Sequence, residues 1–422
     1  MLKFFEQLLR LDSTTESVEH SHDEPTSTQA LDRESATADG NDPIWKSFNL
    51  LKKENQNRWI LEATADRYIL HRATHDVRKI FLEVTTRCNL RCASCIRHAW
   101  DEELTDMSYD TFCSVLKSIQ NLPEVKEVHF GGFGEPLMHP RILDMVREVK
   151  SLGLRVSIST NGTLFNEEIA NSLVNIGVDR IFVSMDSTQA QIFGDLRIGA
   201  DFYEVVENVK RLNLAREKKG SRFPTIGLEF VATKENFDDI KNVPQLAKEL
   251  GASIVIITHL LPYTKESAHK ILYNGDYGKF PRSEGWSVVA GDYVMWGTMS
   301  LPRNSWGAHR QCRFIEEKGT VIAHDGSVSP CYALMHSYNY FIFGEEKHVK
   351  RYVFGNVNNT TLADIWSSEQ YVLFRSRVRD FKFPSCVDCG ANCDLRKENQ
   401  DCWANDPSCA DCLWAQDIIR CP

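Results

Sequence analysis

The residues with the clearest capacity for chemistry form a short run, Thr85-Thr86-Arg87-Cys88-Asn89-Leu90-Arg91-Cys92-Ala93-Ser94-Cys95. The cysteine spacing is C-x3-C-x2-C, and the run follows an apolar, strand-like stretch directly. A short loop with these spacings turns three thiolates toward one point. Three thiolates hold three corners of a 4Fe–4S cluster and leave one iron without a protein ligand. An open coordination position marks a reactive metal site, as it does for zinc. A zinc site short of one ligand, or plain buried cysteines, would use the same residues; the position at the end of a strand favours the cluster.

Nine of the thirteen cysteines lie after residue 310: Cys312, Cys331, Cys386, Cys389, Cys393, Cys402, Cys409, Cys412 and Cys421. No secretion signal is legible, because Glu6 and Arg10 interrupt the apolar residues of Met1–Leu11. No apolar run is long enough to span a membrane. A cytoplasmic location follows as the expectation, and in a reducing compartment clustered cysteines read as metal ligands rather than disulfides. Two fully thiolate-ligated clusters would use eight of the nine; the pairs Cys386/Cys389 and Cys409/Cys412 also have zinc-knuckle spacing. Cys113 stands apart on an expected helix and reads as a core residue.

Net charge is −9, and it is concentrated. Asp12–Pro43 carries nine acids against one base, Arg33, so the remainder is nearly neutral. Neither nucleic acid nor an anionic membrane is favoured as a partner. That acidic stretch has almost no large aliphatic residues beyond Val18 and Leu31 and is expected to be disordered. Residues 46–78, with Trp59, Ile60, Ala63, Tyr68 and Ile69, are read as helical.

The elements that must position the first cysteines begin at Lys79. Strand-like runs at Ile80–Val84, Val125–Phe130, Val156–Ser159, Arg180–Ser184, Thr225–Val231 and Ser253–Ile257 alternate with helical patterns, including Tyr109–Ile119, Ile142–Leu152, Asn166–Ile176, Phe202–Leu214 and Asn236–Leu250. This rhythm implies an α/β fold, a partial (β/α)6 TIM-like barrel over 79–300, with chemistry in the loops at the strand C-termini. Residues 260–310 show no clear period. A cysteine-rich unit is expected over 301–422.

Further polar and glycine residues close the same strands. The second ends in Gly131-Gly132-Phe133-Gly134-Glu135-Pro136, where glycines permit close approach of backbone to a ligand; taken alone this is an ordinary turn. The third ends in Ser159-Thr160-Asn161-Gly162, and the fourth in Ser184-Met185-Asp186 with Arg197 downstream. A helix cap and a surface ion pair are the plain alternatives for Asp186 and Arg197. His129, His259 and His324 read as hydrogen-bonded structural histidines.

Together these elements resemble the radical S-adenosylmethionine (SAM) superfamily. The resemblance implies that Cys88, Cys92 and Cys95 hold the SAM-binding cluster, that Gly131, Gly132 and Glu135 line the methionine amino group, and that Ser159 and Asn161 contact ribose. It further implies that Ser184, Asp186 and Arg197 serve the SAM carboxylate, which suits arginine's planar donor fork, with Ile256 and Ile257 against adenine. Ser94 stands where the superfamily usually has an aromatic or bulky residue. The implied chemistry is reductive cleavage of SAM to a 5′-deoxyadenosyl radical that abstracts hydrogen, with an electron donor such as ferredoxin or flavodoxin.

Cys312, Gly326-x4-Cys331 and Cys386-x2-Cys389 resemble the SPASM extension, which holds auxiliary 4Fe–4S clusters, two by this count. The x3 spacing before Cys393 and the added Cys409/Cys412 pair depart from its common order. The stretch Asn399–Gln416 resembles the maturases linked to tungsten-containing aldehyde ferredoxin oxidoreductases. This implies a role in maturing a tungsten- or molybdenum-pterin oxidoreductase or its cofactor. A peptide- or protein-modifying maturase of the sulfatase-maturase kind, or a non-catalytic Fe–S scaffold, are the other readings.

Overall fold

The computed structural model describes residues 46, 59–64, 67–100, 102–273, 285–290, 293–303, 310–342, 345–386, 389 and 393–422. The acidic stretch read as disordered lies outside them.

Over Trp59–Ala63 and Tyr68–Arg72 the structure corrects the reading of residues 46–78 as helical. Strands β1 (Trp59–Ala63) and β2 (Tyr68–Arg72) form an antiparallel hairpin, with Trp59 opposite Arg72 and Ala63 opposite Tyr68. The spacing of Trp59, Ile60 and Ala63 matches a helical face. Along β2, however, exposure alternates residue by residue, and that period of two belongs to a strand. The hairpin packs against the helix Glu369–Arg379.

The six expected strands are β3 (Lys79–Leu82), β4 (Glu127–Phe130), β5 (Arg155–Thr160), β6 (Arg180–Ser184), β7 (Thr225–Ala232) and β8 (Ala252–His259). They pair in parallel in chain order. Helices cover them because each carries one apolar stripe. In the helix Tyr109–Gln120, Phe112, Val115 and Ile119 are buried, and Ser108 caps its start by accepting from the Thr111 amide at 3.1 Å. The helix Glu167–Ile176 starts on an Asn166 cap and stops at Gly177, whose φ of 82° satisfies the last carbonyls.

The sheet does not end with those six. In the stretch that showed no period, β9 (Trp286–Ala290) and β10 (Tyr293–Ser300) form, and β10 joins β8 in parallel. On the other edge β11 (Gly319–Ile322) pairs in parallel with β3, followed outward by antiparallel β12 (Ser327–Ser329) and, after the hairpin β13 (Tyr338–Ile342) and β14 (Glu345–Val349), by β15 (Gly355–Asn356). Among the described residues this makes one sheet of 11 strands. The chain division drawn near residue 300 therefore runs through a continuous sheet. The last residues return to it: Ile418 carbonyl accepts from His259 N–H at 3.2 Å, and Arg420 N–H donates to Thr258 Oγ1 at 2.9 Å. No helix among the described residues is long and apolar enough to cross a membrane.

Candidate functional site

The strand C-termini converge on a cavity of about 310 Å³. The loop after β3 supplies Ser94, Cys95 and Ile96; β4 and its loop supply His129, Gly132 and Phe133; β5, β6 and β8 supply Ser159, Ser184 and Ile256. Arg197 enters from beyond β6, and the returning tail closes the far side with Trp414, Ile419, Arg420, Cys421 and Pro422.

The cysteine loop is held from within. Leu90 N–H points at Cys88 Sγ, 3.5 Å away, and Asn161 Nδ2 lies 3.7 Å from the same sulfur. Arg97 was not singled out from sequence, yet its Nε sits 3.3 Å from Cys95 Sγ and its other nitrogens donate to the Cys88 and Leu90 carbonyls. Burial pushes the Cys88 thiol up and the Cys92 thiol up to about 11, the latter opposed by the Arg197 guanidinium. Three half-buried thiols, ringed by donors and by two arginines, with Cys88 and Cys92 costly to ionise alone, fit a cationic iron cluster that draws off their protons.

The glycine loop beside them is shaped by contact rather than by flexibility. Gly132 has φ +117°, and a Cβ there would fall 2.7 Å from Glu83 Cγ. A Cβ on Gly134 would fall 2.2 Å from the Thr85 carbonyl oxygen, so the second loop rests directly on the first.

The remaining expected site residues divide into two sets. Gly132, Ser159, Ser184, Arg197 and Ile256 line the cavity with Cys95. Gly131, Glu135, Asn161, Asp186 and Ile257 stand behind its wall. Glu135 is fully buried and accepts from Thr160 Oγ1 at 2.8 Å, Asn161 N at 2.7 Å and Leu137 N at 3.1 Å, bracing the β5 loop. Asp186 accepts from Val231 N at 2.9 Å and pairs with Arg197 Nε at 2.8 Å, both side chains buried. Ile257 is a core residue. His129 is held by Ser157 at 2.9 Å and His259 bonds the Arg303 carbonyl at 3.0 Å, so both are hydrogen-bonded, and both also line the cavity.

Glu229 on β7 and Tyr263 after β8 also line the cavity, and no local pattern pointed to either. Burial pushes Tyr263 well above the usual phenol range. Burial likewise pushes the Glu229 carboxyl from 4.5 up to about 7, with Arg197 pulling the other way. A raised carboxyl contributes stability that is fully present below 4.5 and is lost as pH rises through about 7. Glu229→Gln, which mimics the protonated form, should therefore melt at a higher temperature than the parent at pH 8 and show a smaller gap at pH 6. A large gap of the same size at pH 6 and pH 8 would overturn this, because Glu229 would then be ionised at both.

Among the later cysteines, Cys312, Cys331, Cys409 and Cys412 are gathered closely enough to repel one another as thiolates. Burial and this repulsion push Cys312 up to about 12, and Cys331 and Cys409 well above the ordinary thiol. A quartet of sulfurs, two buried and two partly buried, fits a fully ligated cluster. Cys421 sits differently: it lines the main cavity, where it accepts the Trp414 indole N–H at 3.3 Å.

The comparisons with known proteins agree with this geometry. Residues 82–228 match the Radical SAM superfamily and residues 312–394 the SPASM iron–sulfur cluster-binding domain. The tungsten-containing aldehyde ferredoxin oxidoreductase cofactor-modifying protein of Pyrococcus furiosus is 42% identical over 358 residues, 82% of this chain and 97% of that one. The PqqA peptide cyclase of Gluconobacter oxydans is 27% identical over 352 residues, 78% of this chain and 90% of that one. The solved structure of Streptococcus suis SuiB bound to S-adenosylmethionine shares the fold, with a TM-score of 0.53 at 15% identity over 82% of this chain and 75% of that one. With a radical SAM domain that binds a 4Fe–4S cluster and SAM, and auxiliary clusters in its SPASM unit, the chain belongs to the radical SAM/SPASM enzymes, in the family of the tungsten oxidoreductase cofactor-modifying protein.

Proposed function

We propose that this chain is a radical SAM maturase acting on a tungsten- or molybdenum-pterin oxidoreductase or on its cofactor, as an oxidoreductase fed with electrons by a ferredoxin or flavodoxin. One observation carries the chemistry: Cys95, Gly132, Ser159, Ser184 and Arg197, drawn from four strand ends and the segment after β6, face a single cavity. The choice of substrate is supported by the named activity of the Pyrococcus furiosus relative.

When bound, the cluster and SAM supply a 5′-deoxyadenosyl radical for hydrogen abstraction. The chain's own part is positioning and exclusion. Arg197 presents a guanidinium whose direction is set by Asp186, and a carboxylate ligand would be recognised there by charge and by planar donors. Ser159 and Ser184 offer hydroxyls, and Ile256 an apolar wall. The tail closes the cavity's far side, which keeps water from a reactive species. For the auxiliary clusters, Cys312, Cys331, Cys409 and Cys412 are assigned to one and Cys386, Cys389, Cys393 and Cys402 to the other, leaving Cys421 in the cavity.

Anaerobic reconstitution tests this reading. About twelve irons per chain, with 5′-deoxyadenosine formed on adding reductant and SAM, are the expected result; about four irons would remove the auxiliary assignment. Tungsten-dependent aldehyde oxidation in a host lacking the gene should fall to background. Unchanged oxidation beside intact SAM cleavage would turn the substrate toward a peptide or protein.

A further inference from the structure

Behind the glycine loop, outside the cavity, lies a second set of metal-ligating side chains that contains no cysteine. Glu83 follows β3, His324 follows β11, and His336 follows the short turn Tyr332–Leu334. Their ligand atoms all lie within 4.8 Å of one another. Glu83 Oε2 is 2.8 Å from His336 Nε2 and 3.4 Å from His324 Nδ1. Glu83 and His336 are wholly buried, and the two imidazole planes are within 10° of parallel.

We propose that Glu83, His324 and His336 form a site for one divalent first-row transition metal, separate from the iron–sulfur clusters. Four arguments carry it. First, ligands at about 2.0–2.1 Å from a tetrahedral ion stand about 3.3 Å apart, so two of these contacts need shifts of only tenths of an ångström. Second, two imidazoles and one carboxylate are a donor set for zinc, iron(II) or manganese rather than for magnesium or calcium. Third, the remaining nitrogen of His336, Nδ1, is 2.5 Å from Glu102 Oε2. An outer carboxylate on the second ring nitrogen is the partner that metal-bound histidines have, and it fixes the tautomer. Fourth, the wholly buried Glu83 and the partly exposed Glu102 flank one buried ring, and burying the Glu83 charge is unfavourable without a cation beside it.

The ion would join three segments at one point. Glu83 Oε1 also accepts from Phe133 N–H at 3.2 Å, and Glu83 packs on Gly132. The SPASM unit, through His324 and His336, would thus be tied to the loop that lines the cavity. This inference does not depend on the proposed function.

The competing occupant is a proton on His336. The test uses the cluster-loaded protein, in which all cysteines but Cys113 and Cys421 are taken up by iron, stripped on a chelating resin and dialysed against buffered zinc. Zinc and iron are then counted by mass spectrometry. About one zinc per chain is expected. His324→Asn, which leaves the buried Glu83–His336 contact in place, should lose it, and Glu102→Gln should weaken it by about 10- to 100-fold, both with unchanged cluster iron. No zinc on the parent would overturn the proposal in favour of the proton. Zinc retained in full by His324→Asn would overturn it in favour of a thiolate site.

Discussion

In Cys92→Ala, 5′-deoxyadenosine formation is expected to fall to background, and iron to drop from about twelve to about eight per chain. Cys92 is the loop cysteine whose thiol burial holds up to about 11, so it contributes little as a free thiolate and most as an iron ligand. Alanine leaves two thiolates, too few to hold a cluster that keeps one iron open. The retained irons matter as much as the lost ones. They would show that the auxiliary sites fill independently, and that the fall in activity is not misfolding. A variant that kept full iron and full SAM cleavage would place the reactive cluster elsewhere.

The second large effect is expected at Asp186, which the cavity does not touch. Asp186→Asn removes the charge facing Arg197 while keeping size, and leaves a guanidinium that is 10% exposed without its counter-ion. Breaking a buried pair from one side costs about 3–5 kcal/mol, to be read as a lowered melting temperature. Adding Arg197→Met should recover part of that stability, because it removes the buried charge that the first substitution leaves uncompensated. SAM affinity should not recover, since Arg197 faces the cavity. Stability and binding would then separate in one double-mutant cycle. If the double variant bound SAM as the parent does, Arg197 would be a structural residue only.

The parallel core was legible because its strands are short apolar runs bounded by turns, and the helices between them carry a clean 3.6-residue stripe. The loops that close those strands were legible for the same reason: a cysteine or glycine cluster directly after a strand has few places to go. What escaped depends on distant pairing. The hairpin β1–β2 carries apolar residues whose spacing fits a helix, and only its partner strand selects the other period. Glu229 and Tyr263 sit among ordinary strand and loop residues, and their importance comes from neighbours on other strands. Cysteine counting listed Cys421 as one of nine candidate ligands, and a count carries no information on which thiols meet. The structure puts it across the cavity, beside Trp414.

The pairing of β11 with β3 has a practical consequence for dissecting the enzyme. Ile80 and Leu82 of β3 are fully buried, and their strand's outer hydrogen bonds run to Gly319–Ile322. A fragment ending near residue 300 would keep every residue of the loops proposed to bind SAM and still expose a raw, apolar strand margin, the kind of surface that recruits other chains. Such fragments should precipitate or associate edge to edge. The cysteine-rich unit is thus the outer wall of the catalytic half as well as its neighbour.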